Sequence, residues 1–141
     1  MEFLCKSFFL LLLKCVIILP MMQVSAVIQK HPYLHYNEQK ALESIILRVA
    51  STFPVISRIM LYGSKARGDF AEESDIDLLF ITDYILPRAV KFEISDAIYE
   101  AEVESDVVVS AIFVNARDFQ TKKSPFLERV RREGIVLWSR E

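Results

Sequence analysis

Two short apolar runs joined by a polar loop constrain the fold of this chain most. Arg58–Tyr62 ends at Gly63, and Ile76–Ile81 follows the loop that Gly63 opens. Apolar runs of this length, bounded by glycine and polar residues, are typical of buried strands. The sequence therefore predicts two strands of one sheet, with the polar loop at the end of that sheet.

Helical and strand patterns alternate along the rest of the chain. Apolar spacing predicts a long helix near 38–52 that is capped by Asn37, and a second that follows Pro87 and ends by Glu104. The β-branched stretch Val107–Val114 predicts a third strand. Short helical pieces and a last apolar run are predicted at 119–130 and 135–138. This order indicates an α/β fold.

Length and charge narrow the class of protein. The chain has 141 residues, enough for one compact domain, and 52% of them are hydrophobic. Its formal net charge is −2, so we expect no long nucleic-acid partner. Cys5 and Cys15 both lie in the apolar N-terminal stretch, which leaves the remainder without thiols for a disulfide framework or a cysteine-ligated zinc.

The apolar stretch over residues 1–26 has three interpretations. As a transmembrane helix it is disfavoured, because Lys14 and Pro20 interrupt it. As a signal peptide it has an apolar middle and a small-residue sequence at 24–26 that resembles a cleavage site. The third interpretation is a translation start assigned too early, with Met21 or Met22 as the true first residue.

Asp75 and Asp77 form a carboxylate pair at the start of the second predicted strand. Residues two apart on a strand project from the same face, so both carboxylates lie together while Ile76 and Leu78 point into the core. At a separation of about 4 Å two unit charges repel by roughly 4 kcal/mol in an effective dielectric of 20. Mg²⁺ relieves this repulsion, because it prefers oxygen ligands and is shared between carboxylates and substrate phosphates.

The turn at Gly63 and Ser64 supplies the chemistry that such a metal needs on its other side. A glycine directly after a buried strand permits a sharp turn and close approach of a phosphate, and exposed N–H groups attract anions. Ser64 adds a hydroxyl donor. Lys65 and Arg67 add positive charge for the remaining phosphate oxygens. The loop thus joins a cationic turn to a dianionic strand.

The stretch LYGSKARGDFAEESDIDLLF resembles the signature of the DNA polymerase β-type nucleotidyltransferase superfamily, in the form found in its minimal branch. The resemblance implies a single domain over residues 31–141, with a small mixed β-sheet flanked by helices. It implies that Gly63 and Ser64 hold a nucleoside triphosphate and that Asp75 and Asp77 bind divalent metal. The implied reaction transfers a nucleoside monophosphate, AMP from ATP, to an acceptor hydroxyl and releases pyrophosphate.

Two-metal chemistry of this kind uses two Mg²⁺ ions and a third carboxylate on a neighbouring strand. The candidates are Glu102, Glu104 and Asp106, and Asp106 is the choice because it immediately precedes the predicted third strand. Asp106 stands one or two positions early for that role, and Val108 is the alternative occupant of the position. Without the third carboxylate, we expect a protein that binds nucleotide and transfers it slowly or not at all.

The resemblance also implies a partner. Small proteins of this branch act beside a HEPN-domain toxin as the antitoxin of a toxin–antitoxin pair, and some add AMP to the toxin. Two alternatives stay open, a non-catalytic module that binds nucleotide or partner, and transfer to a small molecule such as an aminoglycoside. Because the reaction needs a triphosphate pool, we expect a cytoplasmic protein without a membrane anchor.

Overall fold

A computed structural model describes residues 22–31 and 33–140 of the chain. Most of the predicted leader, residues 1–21, lies outside these residues. The helices and strands are, in chain order, α1 (22–29), α2 (Tyr36–Thr52), β1 (Ile56–Tyr62), α3 (Gly63–Arg67), β2 (Ile76–Thr82), α4 (Arg88–Ser105), β3 (Val109–Asn115), α5 (Ala116–Thr121), α6 (Pro125–Glu133) and β4 (Ile135–Ser139).

The four strands form one mixed sheet in the order β3-β2-β1-β4. β1 is antiparallel to both of its neighbours, β2 and β4. β2 is parallel to β3, and α4 makes the crossover connection that a parallel pair requires. The structure confirms the predicted α/β fold with a small mixed sheet flanked by helices.

Two apolar clusters lie on opposite faces of the sheet. Alternate residues of β2, among them Ile76 and Leu78, join the larger cluster with α2 and α4. Val24 and Ile28 of α1 belong to the same cluster, so the packed unit includes residues that precede position 31, where the domain was predicted to begin. The smaller cluster joins Leu79 and its neighbours on that face to α5 and α6.

Two predicted boundaries differ from the structure. Asn37 was predicted to cap the first long helix, but the cap residue is His35, whose N–H donates a hydrogen bond to Glu38 Oε2 over 2.8 Å. The third strand begins at Val109 rather than Val107, because the chain is still turning out of α4 at Asp106. Within the described residues, no helix combines the length and apolar character needed to cross a membrane.

Candidate active site

Asp77 lies on β2 with its side chain on the face opposite the larger core. Its neighbours on the adjacent strands are Tyr62 of β1 and Ser110 of β3, which are its register partners. Partners on adjacent strands project from the same face, so these three side chains form a row across the end of the sheet. Asp77 is half-buried in this row, whereas Asp75, just before the strand, is exposed.

The backbone at Gly63 closes the site beside Asp77. Gly63 has φ +75°, a left-handed conformation that glycine adopts at little cost. A Cβ at this position would overlap the carboxylate oxygen Oδ2 of Asp77. Glycine is therefore required at this position for two reasons. Only glycine adopts this conformation at little cost, and the space that a Cβ would occupy is filled by the Asp77 carboxylate. Ser64 follows it, half-buried, in α3.

In the absence of a metal ion, the ionised form of the Asp77 carboxyl is disfavoured. Burial raises the pKa of Asp77 above its usual value, and the neighbouring charge of Asp75 raises it further, while Arg67 opposes both effects. The carboxylates of Asp75 and Asp77 are thus close enough to repel each other, as the sequence predicts. Burial, followed by the charge of Asp77, raises the pKa of Tyr62 to about 12, so its phenol is neutral at physiological pH.

Arg67 lies near the carboxylate pair but is already engaged by other acids. Its Nε contacts Asp69 Oδ2 over 3.1 Å, and one terminal nitrogen lies 3.5 Å from Glu133 Oε2 of α6. The hydrogen bond that Arg67 donates to Asp69 raises the pKa of Arg67 above its usual value. About a third of the side chain remains exposed, which leaves donors for an anion at the site.

Lys65 points into the protein. Its side chain is fully buried, and Nζ lies 2.5 Å from Glu38 Oε1 in an ion pair that lacks hydrogen-bond geometry. The same ammonium lies 4.4 Å from the centre of the Phe70 ring. Lys65 therefore connects α3 to the first turn of α2, and its ion pair is with Glu38.

Asp106, predicted as the third carboxylate, ends α4 and does not lie on β3. It is exposed and has φ 53°. Asp75 and Asp106 line a common cavity of about 240 Å³, with Glu38 also in its lining, but Asp77 is not part of that lining. Among the described residues, no three His, Cys, Asp or Glu side chains are grouped so that they could hold a metal ion.

The donor set of Asp75 and Asp77 fits one hard divalent cation. Two carboxylates whose mutual repulsion raises the pKa of one of them gain most from a cation between them. Such an ion commonly completes its coordination with substrate phosphates and water. Gly63 lets the Asp77 carboxylate lie directly against the turn, so an ion held by Asp77 would lie beside the backbone of Gly63 and Ser64.

Sequence reasoning missed three residues that shape this site. Tyr62 was read only as the end of a strand, although it directly precedes Gly63 and faces Asp77. Ser110 lies inside the β-branched stretch that was read only as a strand. Glu38 has a recognisable signal, because an acid in the first turn of a helix is a common capping residue, but its pairing with Lys65 depends on tertiary packing.

Comparisons with known proteins agree on one family. The family described as "Polymerase beta, Nucleotidyltransferase" matches residues 44–141. Two Methanocaldococcus jannaschii proteins carry the name "putative protein adenylyltransferase". One is 35% identical over 72% of this chain and 99% of its own length. The other is 30% identical over 57% of this chain and 77% of its own length.

Solved structures share the fold. A "putative nucleotidyltransferase" from Sulfolobus solfataricus superposes with a TM-score of 0.51 at 23% identity, over 84% of this chain and 88% of that one. A structure described as a toxin-antitoxin with AMP-PNP superposes with a TM-score of 0.52 at 20% identity, over 70% of this chain and 73% of that one. Sequence identities this low show a shared fold and nothing further.

Proposed function

The chain belongs to the polymerase β nucleotidyltransferase family, and we propose that it transfers AMP from ATP to a hydroxyl group on a partner protein. Family membership confirms the resemblance carried by its Gly-Ser turn and carboxylate pair. The observation that carries the proposal is the position of the Asp77 carboxylate against Gly63, with Asp75 close enough to repel it. The names of the two M. jannaschii relatives support a protein as the acceptor.

In the proposed reaction the acceptor oxygen bonds to the α-phosphorus of ATP. The bond from that phosphorus to the oxygen bridging the β-phosphate breaks, and pyrophosphate leaves with the bonding electron pair. The hydroxyl proton passes to solvent. When bound, Mg²⁺ supplies positive charge that neutralises the triphosphate, and Asp75 and Asp77 would hold it.

The other residues of the site bind and orient the triphosphate. The Gly63 turn would let a phosphate approach the backbone closely, and the Ser64 hydroxyl would donate a hydrogen bond to it. Arg67 would contribute positive charge from its exposed donors. Lys65 acts through its buried ion pair with Glu38, which holds the turn in place from the interior of the protein.

We further propose that the acceptor is a HEPN-domain toxin and that the protein is its antitoxin. A toxin-antitoxin structure with AMP-PNP shares the fold, which supports an antitoxin role and an adenine nucleotide, while the HEPN domain is what the family resemblance implies. The cytoplasm is the proposed compartment, because it maintains the ATP pool that the reaction needs.

The experiment that tests this function uses ATP labelled on the α-phosphate. The full chain is incubated with Mg²⁺ and labelled ATP, with and without the protein encoded by the neighbouring gene. We expect label on the neighbour protein and stoichiometric release of pyrophosphate. ATP labelled on the γ-phosphate is the matched control, and it should label no protein.

An Asp77→Asn variant of verified fold should lose the transfer by at least about a hundredfold, as removal of a principal charged group in a phosphoryl-transfer site does. Label that stays on the neighbour protein in this variant would contradict the role of Asp77. If no nucleotide labels any protein while the two proteins still bind each other, transfer to this partner is refuted.

That last result would favour the second candidate function, a nucleotide- or partner-binding module without catalysis. One observation favours it, because the β3 residue beside Asp77 is Ser110 and not a carboxylate. Transfer of label to the neighbour protein would exclude this candidate.

A further inference from the structure

The strand next to the carboxylate pair offers no third acid. The register of the parallel strands places Ser110 beside Asp77 and Val109 beside Ile76. The ladder continues below this point, because the Ile76 N–H donates to the Val108 carbonyl over 2.9 Å. Side chains two apart share a face, so Val108, which directly precedes β3, and Ser110 of β3 are placed beside Asp75 and Asp77.

Two of the three acids that precede β3, Glu102 and Glu104, are engaged by other groups. Glu102 uses Oε1 to accept a 2.6 Å hydrogen bond from the Val109 N–H, which anchors the start of the strand. Glu104 forms an ion pair with Arg48 of α2, with a shortest contact of 2.7 Å.

Asp106 is kept away from the strand by the end of α4. Its own N–H and that of Val107 both point to the carbonyl of Glu102, which closes the last helical turn. The left-handed conformation of Asp106 belongs to this turn. The chain reaches an extended strand only at Val109.

From this arrangement we infer that the site binds one divalent cation with its nucleotide rather than two, and that Ser110 occupies the position where a third carboxylate would complete a two-ion site. The inference rests on the proposed nucleotide function. Asp75, Asp77 and the triphosphate hold the single ion. No acid lies on β3 to hold a second ion against the acceptor hydroxyl. We therefore expect the protein to bind nucleotide tightly and to transfer AMP slowly.

Counting bound metal ions tests the inference without reliance on activity. Mn²⁺ is titrated into the full chain in the presence of a saturating ATP analogue whose bond between the α- and β-phosphates resists cleavage, and free Mn²⁺ is followed by electron paramagnetic resonance. We expect one Mn²⁺ per bound nucleotide. Two Mn²⁺ would overturn the inference and leave the proposed function standing, whereas absence of nucleotide binding by the folded protein would overturn the proposed function itself.

Four variants sharpen the count of bound ions. Ser110→Asp should bind a second Mn²⁺. Ser110→Asn introduces a side chain of the same size as Asp but without the charge, and this variant should still bind one Mn²⁺. Asp106→Asn should change the Mn²⁺ dissociation constant by less than about twofold, whereas Asp77→Asn should raise it by at least about tenfold.

Val108→Asp is a second test of the same face at an exposed position, 62% accessible, where a new carboxylate is easily accommodated. It serves if Ser110→Asp fails to fold, and it too should bind a second Mn²⁺. The inference is overturned if neither folded carboxylate variant gains an ion, or if Asp106→Asn weakens Mn²⁺ binding as much as Asp77→Asn does.

Discussion

The backbone of Gly63 lies directly against the carboxylate of Asp77, so closely that a Cβ at position 63 would overlap Oδ2. The two residues are separated by the whole polar loop, yet they meet because β1 and β2 are antiparallel neighbours, so that β1 ends where β2 begins. The turn proposed to bind a phosphate and the strand proposed to hold the metal are therefore one structural unit.

Gly63→Ala should impair both stability and nucleotide binding. The added methyl group displaces the Asp77 side chain, and φ +75° strains any residue with a Cβ. We expect a loss of about 1–3 kcal/mol in the free energy of unfolding, measured by urea denaturation. Binding of AMP-PNP with Mg²⁺, measured by calorimetry on the folded variant, should be lost.

Gly68→Ala is the matched control for Gly63→Ala. Gly68 has φ +80°, a nearly identical strain, but its added Cβ would meet the ring of Tyr33 instead of Asp77. We expect a comparable loss of stability with AMP-PNP binding retained. Equal loss of binding in the two variants would mean that backbone strain, and not the approach to Asp77, controls the site.

Asp77→Asn should stabilise the protein in the absence of metal. Ionised Asp77 is disfavoured by burial and by Asp75, so an uncharged amide removes an unfavourable charge. Because Asp77 is partly exposed, the gain at neutral pH is at most about 1 kcal/mol. With Mg²⁺ and AMP-PNP the order reverses, since ligand stabilises only the wild type.

The pH dependence of this gain has a definite sign. An aspartate whose pKa is raised by folding binds its proton more tightly in the folded state, so wild type loses stability as pH rises from the ordinary value of 3.8 through the folded value. The advantage of Asp77→Asn should therefore be absent below pH 3.8 and should grow as the pH rises through the folded value. Exposed Asp96→Asn is the control, and an equal gain there would contradict a local effect.

The buried pair of Lys65 and Glu38 should dominate the stability of the turn. Lys65→Met leaves Glu38 without its counter-charge in a buried position, at a cost of about 3–5 kcal/mol. The double variant Lys65→Met/Glu38→Leu removes both charges and should recover most of that loss. Lys40→Met, at an exposed position of α2, is the control and should change stability little.

The same double variant distinguishes structural support of the turn by Lys65 from direct contact of its ammonium with the phosphate. If Lys65 supports the turn from beneath, the stable double variant keeps its affinity for AMP-PNP. A stable double variant with no affinity would show that the ammonium acts on the phosphate, as the sequence alone predicts. Calorimetry at a temperature where both proteins are folded distinguishes these results.

Local patterns were sufficient to predict the central part of the fold. Alternation along β2 correctly assigned Ile76 and Leu78 to the core, because side chains two apart on a strand share a face. The turn at Gly63 was predictable because glycine after an apolar run commonly ends a strand. The family resemblance carried by these residues was confirmed by the comparisons.

Tertiary contacts decided what the sequence could not predict. Lys65 resembles a phosphate ligand in sequence, but α3 has only five residues and its orientation depends on the distant Glu38. The β-branched run after Asp106 indicated an earlier strand, whereas α4 continues to Ser105 and Asp106 completes its end. A shift of one residue in the end of α4 would change which β3 side chain lies beside Asp77. No local sequence pattern determines where that helix ends.

Tyr62 should report on the charge of Asp77 through its own titration. Burial is the main cause that raises the pKa of Tyr62 to about 12, and the charge of Asp77 is the second. Phenolate absorbance should therefore show a late-titrating tyrosine that disappears in Tyr62→Phe and persists in Tyr99→Phe, the control at an exposed position. In Asp77→Asn this late transition should move to lower pH but remain above 10, because burial is unchanged. Wild type should lose stability as pH rises from 10 towards about 12, since the unfolded chain ionises first, and Tyr62→Phe should lose less. A late transition unaffected by Asp77→Asn would contradict the proximity of the phenol to the carboxylate on which the row across the sheet depends.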